Sequence, residues 1–308
     1  MSLRRRAGVL AGAIAIDLAL GDAPNRWHPV AWFGSGANAA IARLPRGSSG
    51  RNLGSGLALA IGGGAGAMAA GGFVAKLARV LPGPLAFAAE AFALKQALSA
   101  RGLAQHAIAV ARPLEEGDLA AAREAVRMMV SRDVDALGEA AIASAAIEST
   151  AENASDSVIA PAMWYLVGGL PLAWAYRALN TLDAMVGYRK HGIFGSPAAR
   201  ADDALNLTPS RLTAGVIAIV SADPGATWRA ARAEAGRTPS PNSGWPMAAA
   251  ARALGVRLEK PGVHVLNEEG REPAAGDIRG AVRLLGRGLA FVAAGAALFA
   301  AWPRGAKA

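Results

Sequence analysis

IESTAENASDSVIAPAMWYLVGGLPLAWAYRALNTLDAMVGYR runs from Ile147 to Arg189, and FGSPAARADDALNLTPSR follows from Phe194 to Arg211. Glu148, Glu152 and Asp156 precede a charge-free run of 20 residues, Ser157–Tyr176. Asn180, Asp183, Arg189, Arg200, Asp202, Asp203, Asn206 and Arg211 come after it. About 20 apolar residues are needed to cross a bilayer core of roughly 30 Å. Carboxylates, amides and arginines packed around such a run are costly unless used, which points to chemistry at a membrane surface.

Composition extends this reading. The chain has 308 residues, 53% hydrophobic and 18% charged, with a mean hydropathy of +0.27; soluble domains carry about 25% charged residues. Two further charge-free runs are Asn52–Ala75 (24 residues) and Gly288–Pro303 (16), the latter extended by Leu284 and Leu285 with Arg287 snorkelling. Ala7–Leu20, interrupted by Asp17, and Val80–Ala100, interrupted by Glu90 and Lys95, are weaker candidates. Asp17 at membrane depth requires a partner. Leu212–Ala222 is too short to span alone. Arg4-Arg5-Arg6 before an apolar stretch has the form of a signal peptide, but Asp17 and the lack of an A-x-A site favour a retained first membrane helix.

The helix formers Ala, Leu and Arg are abundant, and β-branched alternation is nearly absent. The expected fold is all-α: a polytopic membrane helical bundle with four or five spans plus soluble helical loops. Residues 1–308 read as a single integral-membrane domain, with a soluble helical insertion at about 101–147 and polar loops at about 177–211 and 223–280. Within the insertion, Asp118 is expected to cap a helix through Met129, and Asp133 another through Ile147. Gly62–Gly66 has the GxxxG form of close helix packing. Val263 and Val265 predict a small two-stranded patch.

The net charge is +9. No basic stripe with interleaved aromatics is present, so nucleic acid is not an expected partner. Arginines lie in nearly every loop, so the positive-inside rule selects no topology. With no cysteine, disulfides, thiolate catalysis and cysteine metal sites are excluded. There is no P-loop, Rossmann fingerprint or nucleophile elbow.

Glu148, Glu152 and Asp156, spaced i, i+4, i+8, fall on one face of a regular helix. Their mutual repulsion would be reversed by a cation, and Mg²⁺ in phosphate chemistry takes one or two carboxylates plus the phosphates. A solvated acidic helix end is the competing reading. Asn180 and Asp183 are equally compatible with a capping pair. Arg200 and Arg211, flanking Asp202, Asp203 and Asn206, can grip phosphate through forked donors or serve structural ion pairs. Ser240-Pro-Asn242 offers donors on a constrained loop, as ordinary turns also do. His28 is the only histidine in a motif-like setting; His106, His191 and His264 are scattered without metal-ligand spacing.

These residues resemble the adenosylcobinamide-phosphate synthase family, the integral-membrane cobinamide synthases of cobalamin biosynthesis. The resemblance rests on Gly21-Asp22, His28-Pro29-Val30, Ser131-Arg132-Asp133, Glu148-Ser149, Glu152-Asn153, Asp156, Pro161 and Gly168-Gly169. It continues through Asn180-Thr-Leu-Asp183, Met185-Val-Gly-Tyr188, Ala199-Arg200, Asp202-Asp203, Asn206, Pro209, Arg211, Ser240-Pro-Asn242 and Gly244-Trp-Pro246. Ala184 and Met247 depart from the family pattern outside the carboxylate blocks.

What the resemblance implies is an ATP- and Mg²⁺-dependent acid–amine ligase. It would join aminopropanol, or its O-phosphate, to a propionate carboxylate of adenosylcobyric acid. The enzyme would be a multi-pass protein of the cell membrane with its active site on the cytoplasmic side and other membrane enzymes of the pathway as candidate partners. On that reading Glu148, Glu152, Asp156 and Asp183 supply Mg²⁺ ligands (Glu148, Glu152, Asp156) and a base. Arg200, Arg211, Ser240 and Asn242 hold phosphate groups, while His28, Asn153, Asn180, Asp202, Asp203 and Asn206 contact substrates. The rival of another class is a membrane transporter of a corrinoid or small anionic solute; a scaffold for pathway enzymes is a further alternative.

Overall fold

The computed structural model describes residues 1–187 and 189–302; Tyr188 and residues 303–308 lie outside the described residues, as do the side chains of Arg189 and Lys190. In chain order the α-helices are α1 (Leu3–Leu20), α2 (Pro29–Arg43), α3 (Ser49–Ala78), α4 (Gly83–Lys95), α5 (Ala100–Glu115), α6 (Leu119–Arg127) and α7 (Glu139–Ala154). They continue with α8 (Ala160–Gly168), α9 (Leu170–Val186), α10 (Ser196–Val220), α11 (Pro224–Glu234), α12 (Gly244–Leu254) and α13 (Ala275–Ala301). The expected strand patch is an antiparallel hairpin, β1 (Leu258–Lys260) and β2 (His264–Leu266), with Glu259 opposite Val265. The chain divides into two compact units, one of Met1–Ser99, Ala160–Leu205 and the segment from Val292, the other of Ala100–Ile159 and Asn206–Phe291.

Helix starts follow side-chain caps. Ser2, Ser48, Asp118 and Asp223 each accept from a backbone N–H in the first turn of α1, α3, α6 and α11. The Asp133 expectation is corrected: its carboxylate accepts from the Asp135 N–H at 3.0 Å, and α7 begins later, after Gly138. The Gly-, Ser- and Arg-rich stretch Pro45–Gly56 already contains the start of α3. The short run after Leu212 belongs to the 25-residue α10.

Among the described residues, two helices, α3 and α13, are long and apolar enough to cross a membrane; the expected count of four or five is not reached. Only 22% and 17% of their most apolar stretches are buried, unlike the core helix of a soluble protein. Leu57, Ile61, Met68, Phe73 and Leu77 of α3, and Phe291, Leu298 and Phe299 of α13, face outward.

The run Ser157–Tyr176, expected as one span, is not one helix. Ser155–Ile159 forms a π turn, and the chain breaks between α8 and α9 at Gly169, whose φ of 74° disfavours any residue with a Cβ. Pro171 in the first turn of α9 has no N–H to offer the carbonyl four residues back, that of Val167. Arg6 compensates: its Nη1 donates to the Leu166 and Val167 carbonyls at 2.9 and 2.8 Å. Hydropathy hid the break because every residue around it is apolar or small.

In the first unit, α3 lies against α9 along small residues. A Cβ on Gly56 would overlap the Phe194 carbonyl oxygen, and one on Gly71 would come within 2.8 Å of the Leu170 carbonyl oxygen. Gly62 and Gly66, the predicted GxxxG pair, face open space. The core here gathers Leu59, Leu182, Val186 and Phe194. The second unit has its own core, in which Val110, Val126, Ile142, Ile147, Leu258, Leu266 and Ile278 are fully buried.

Candidate functional site

In the first unit, the α9 side chains Arg177, Asn180 and Asp183 recur at i, i+3 and i+6. Leu182 and Val186 turn the rest of the helix into the core. Arg177 Nη1 donates to Asn180 Oδ1 at 3.3 Å, and Asn180 Nδ2 donates to Asp202 Oδ1 of α10 at 3.1 Å. Burial and the charges of Asp202 and Asp203 push the Asp183 carboxyl up to about 6. Burial raises Asp203 as well. Like charges drawn together out of water favour the protonated form. This group therefore gains or loses a proton near neutrality, as a general base must, and attracts cations.

A second polar group in this unit surrounds Lys95, whose side chain is 2% exposed. Its Nζ lies 2.7 Å from Asp22 Oδ1 and 3.6 Å from Asp17 Oδ1. Asp22 also accepts from the Ser99 hydroxyl and faces His28 Nε2 at 3.8 Å. Burial opposes the Asp22 charge, but the hydrogen bonds of His28, Lys95 and Ser99 outweigh it and hold the carboxyl far below its usual range. His28, expected to contact substrate, also caps α2 by accepting the Val30 N–H at 3.2 Å. In α8, the Tyr165 hydroxyl donates to buried Glu90 at 2.8 Å. Arg200 is exposed and borders an apolar groove of about 580 Å³ along α3.

In the second unit, Glu148 is buried and matched. It accepts from Ser144 at 2.8 Å and lies 3.5 Å from Arg132 Nη2 and 3.6 Å from His264 Nε2. Ser144 also receives the Glu259 N–H at 2.8 Å, which fastens the hairpin to α7. Glu152 is exposed, and Asn153 donates to the Ser149 carbonyl at 2.9 Å. Asp156, partly buried, falls in the π turn, so the i, i+4, i+8 spacing no longer describes one regular helix face. Among the described residues, no three His, Asp or Glu side chains are grouped so as to hold a metal ion.

Arg211, Ser240 and Asn242 do come together. Arg211 Nη1 donates to Asn242 Oδ1 at 3.1 Å, and Nη2 to the Pro241 carbonyl at 3.3 Å. Ser240 Oγ accepts the Asn242 and Ser243 N–H groups, closing the turn. The guanidinium stacks over Trp245 at 4.8 Å. Asn206 is buried in α10.

Sequence reasoning assigned no role to Arg177, Lys95, Arg132 or His264. Lys95 was detectable in principle, since two ionisable residues in separate apolar stretches, Asp17 and Lys95, are natural partners. His264 had no such signal: a hairpin register places it, not a motif.

The profile of the family described as "CobD/Cbib protein" matches residues 10–285. The chain is 41% identical to the probable cobalamin biosynthesis protein CobD of Methanothermobacter thermautotrophicus over 268 residues, 84% of this chain and 86% of that one. It is 40% identical over 306 residues to the cobalamin biosynthesis protein CobD of Rhizobium meliloti, covering 89% and 90% of the two chains. The cobalamin biosynthesis protein CobD of Klebsiella pneumoniae is 37% identical over 295 residues, 88% and 90% of the two. No solved structure matches the chain.

Proposed function

The chain belongs to the CobD/Cbib family, and from that membership in a family of cobalamin biosynthesis we propose that it is a membrane-bound acid–amine ligase. It joins aminopropanol or its O-phosphate to a propionate carboxylate of adenosylcobyric acid, using ATP. The observation that carries this reading is the polar face of α9 against α10, where Asn180 bridges Arg177 and Asp202 and the Asp183 carboxyl is raised by burial and by the charges of Asp202 and Asp203.

Amide formation from a carboxylate and an amine is unfavourable in water. A carboxylate oxygen attacks the γ-phosphorus of ATP, giving an acyl phosphate and ADP. The amine then attacks the acyl carbon, and inorganic phosphate leaves with the former carboxylate oxygen. Asp183, ionised above about pH 6, takes the proton that the nitrogen sheds. Asn180, held between Arg177 and Asp202, fixes the α9 face on which Asp183 stands.

Mg²⁺ bound with ATP would neutralise the phosphate charges. One or two carboxylates plus phosphate oxygens normally suffice to hold it. Asp202 with Asp203 fits that requirement, because a cation there relieves the repulsion and leaves Asp183 to act as the base. Glu148 fits less well, being already paired with Arg132 and bonded by the Ser144 hydroxyl. Arg200, with its guanidinium exposed, is the better-placed phosphate ligand; Arg211 with Asn242 and Ser240 first holds its own loop closed. We assign the protein to the cell membrane through α3 and α13, with the ATP-using site on the cytoplasmic face.

The rival transporter would use ionisable groups within the apolar helices as a path. Asp17, Lys95 and Glu90 are instead engaged with one another or with Tyr165. Incubating the purified protein with ATP, Mg²⁺, adenosylcobyric acid and either amine, followed by mass spectrometry, tests the reading. A corrinoid heavier by the amine less water, formed only with ATP, supports it. Flux of solute into liposomes without ATP turnover or new product supports the rival.

A further inference from the structure

Beside the Arg177–Asn180–Asp202 chain lies a cavity of about 150 Å³ in the first unit. Its walls are mostly carbon, from Val30 and Phe33 of α2, Ala67 and Ala70 of α3, and Ala178 of α9. Each neutral side-chain donor on the wall makes a bond to a backbone carbonyl. The Trp174 indole donates to the Ala93 carbonyl at 3.1 Å, Gln96 Nε2 to the Phe92 carbonyl at 3.2 Å, and the Thr181 hydroxyl to the Arg177 carbonyl at 2.7 Å. Arg177 supplies the sole charge among the lining residues, and a guanidinium has five N–H donors to share.

Size and chemistry together select a ligand. A cavity of roughly this volume accommodates a molecule of benzene size, about six heavy atoms. A corrinoid exceeds it many times over. An apolar wall with one cation at its edge suits a short aliphatic body that ends in an oxygen-bearing or anionic group. We infer that this cavity is the subsite for the short amine substrate: its carbon body lies against Ala67, Ala70 and Phe33, and its hydroxyl or phosphate oxygen meets the Arg177 guanidinium. This assignment rests on the ligase reading, and Arg177 joins the site through its bond to Asn180. Arg177 then binds substrate and also positions Asn180.

The test uses the full-length protein in detergent micelles, with 1-amino-2-propanol and its O-phosphate as probes in isothermal titration calorimetry. Ala67→Leu, which fills the cavity, is expected to weaken both probes at least tenfold and to leave adenosylcobyric acid binding unchanged. Arg177→Gln is expected to weaken the phosphate probe at least tenfold more than the alcohol; similar losses for both would assign Arg177 to the shared hydroxyl-derived oxygen instead of the phosphate. Wild-type affinity for both probes in Ala67→Leu overturns the subsite. If Ala67→Leu does not fold, Arg177→Gln decides, and wild-type affinity for both probes there overturns it equally. Wild-type protein that forms the amide while both variants keep wild-type KM for the amine sinks this subsite alone. Probe binding that Ala67→Leu abolishes, in a wild-type protein that forms no amide, keeps the subsite and sinks the ligase.

Discussion

Asn180 of α9 donates its side-chain amide to Asp202 of α10 at 3.1 Å while accepting from Arg177 at 3.3 Å. One carboxamide thus faces a cation and an anion with the correct end toward each. Asn180→Asp reverses one of those contacts and adds a carboxylate beside Asp202. A hydrogen bond to a charged group contributes about 1.5–3 kcal/mol, so Asn180→Asp is expected to lower the melting temperature at pH 7.5. The loss should shrink toward pH 4, as measured by thermal unfolding in micelles at both pH values.

Asp183→Asn should do the opposite. The folded-state value of about 6 lies above the ordinary 3.8, so between these pH values the folded protein binds the extra proton. Wild-type stability therefore falls as pH rises from about 4 through 6, then levels off. Asparagine carries no such penalty. The melting temperature of Asp183→Asn is expected to match wild type near pH 4 and to exceed it above pH 7; equal values at both pH values would contradict the repulsion among these carboxylates.

Arg6 completes the broken end of α8. Arg6→Met leaves the Leu166 and Val167 carbonyls without that donor. The Leu166 bond is part-buried and the Val167 bond exposed, so the cost is mainly that of the Leu166 bond to a charged donor, about 1.5–3 kcal/mol. Chemical denaturation should register a loss in that range, larger than for Arg5→Met, because Arg6 alone of the two holds these carbonyls.

Two glycines of α3 make a matched pair. Gly56→Ala would collide with the Phe194 carbonyl, whereas Gly62→Ala meets open space. Overpacking costs about 1–3 kcal/mol, and a helical Gly→Ala change on an open face gains up to about 1 kcal/mol. Gly56→Ala is expected to melt below wild type and Gly62→Ala at or above it.

Much of this was readable from residue types. Asp118 and Asp223 are good caps and both are used, although only Asp118 was identified; Val263 and Val265 do mark the hairpin. The break at Gly168-Gly169-Leu-Pro171 was written in its residues, but a charge count weighs apolarity and ignores φ. The π turn had no sequence signal, so the acidic triad was drawn on an ideal helix it does not follow. Asp17 announced that it needed a partner, yet only tertiary packing selects Lys95, 78 positions away. Asn180 and Asp183 were equally readable as caps; the structure instead places both inside α9, with Asn180 bonded to Asp202 of α10. The resemblance grouped Arg200, Arg211, Ser240 and Asn242 as phosphate ligands; Arg211, Asn242 and Ser240 do meet, and no local pattern joins them across thirty residues.

The decisive measurement is product formation by Asp183→Asn in the ATP-dependent ligation, read by mass spectrometry beside its melting curve at pH 7.5. The expected result is a protein at least as stable as wild type whose amide yield falls by about 10²–10⁴-fold, the usual contribution of a positioned base. Near-wild-type yield from that variant would contradict the role given to Asp183 and, with it, the α9 face as the place where the amide forms.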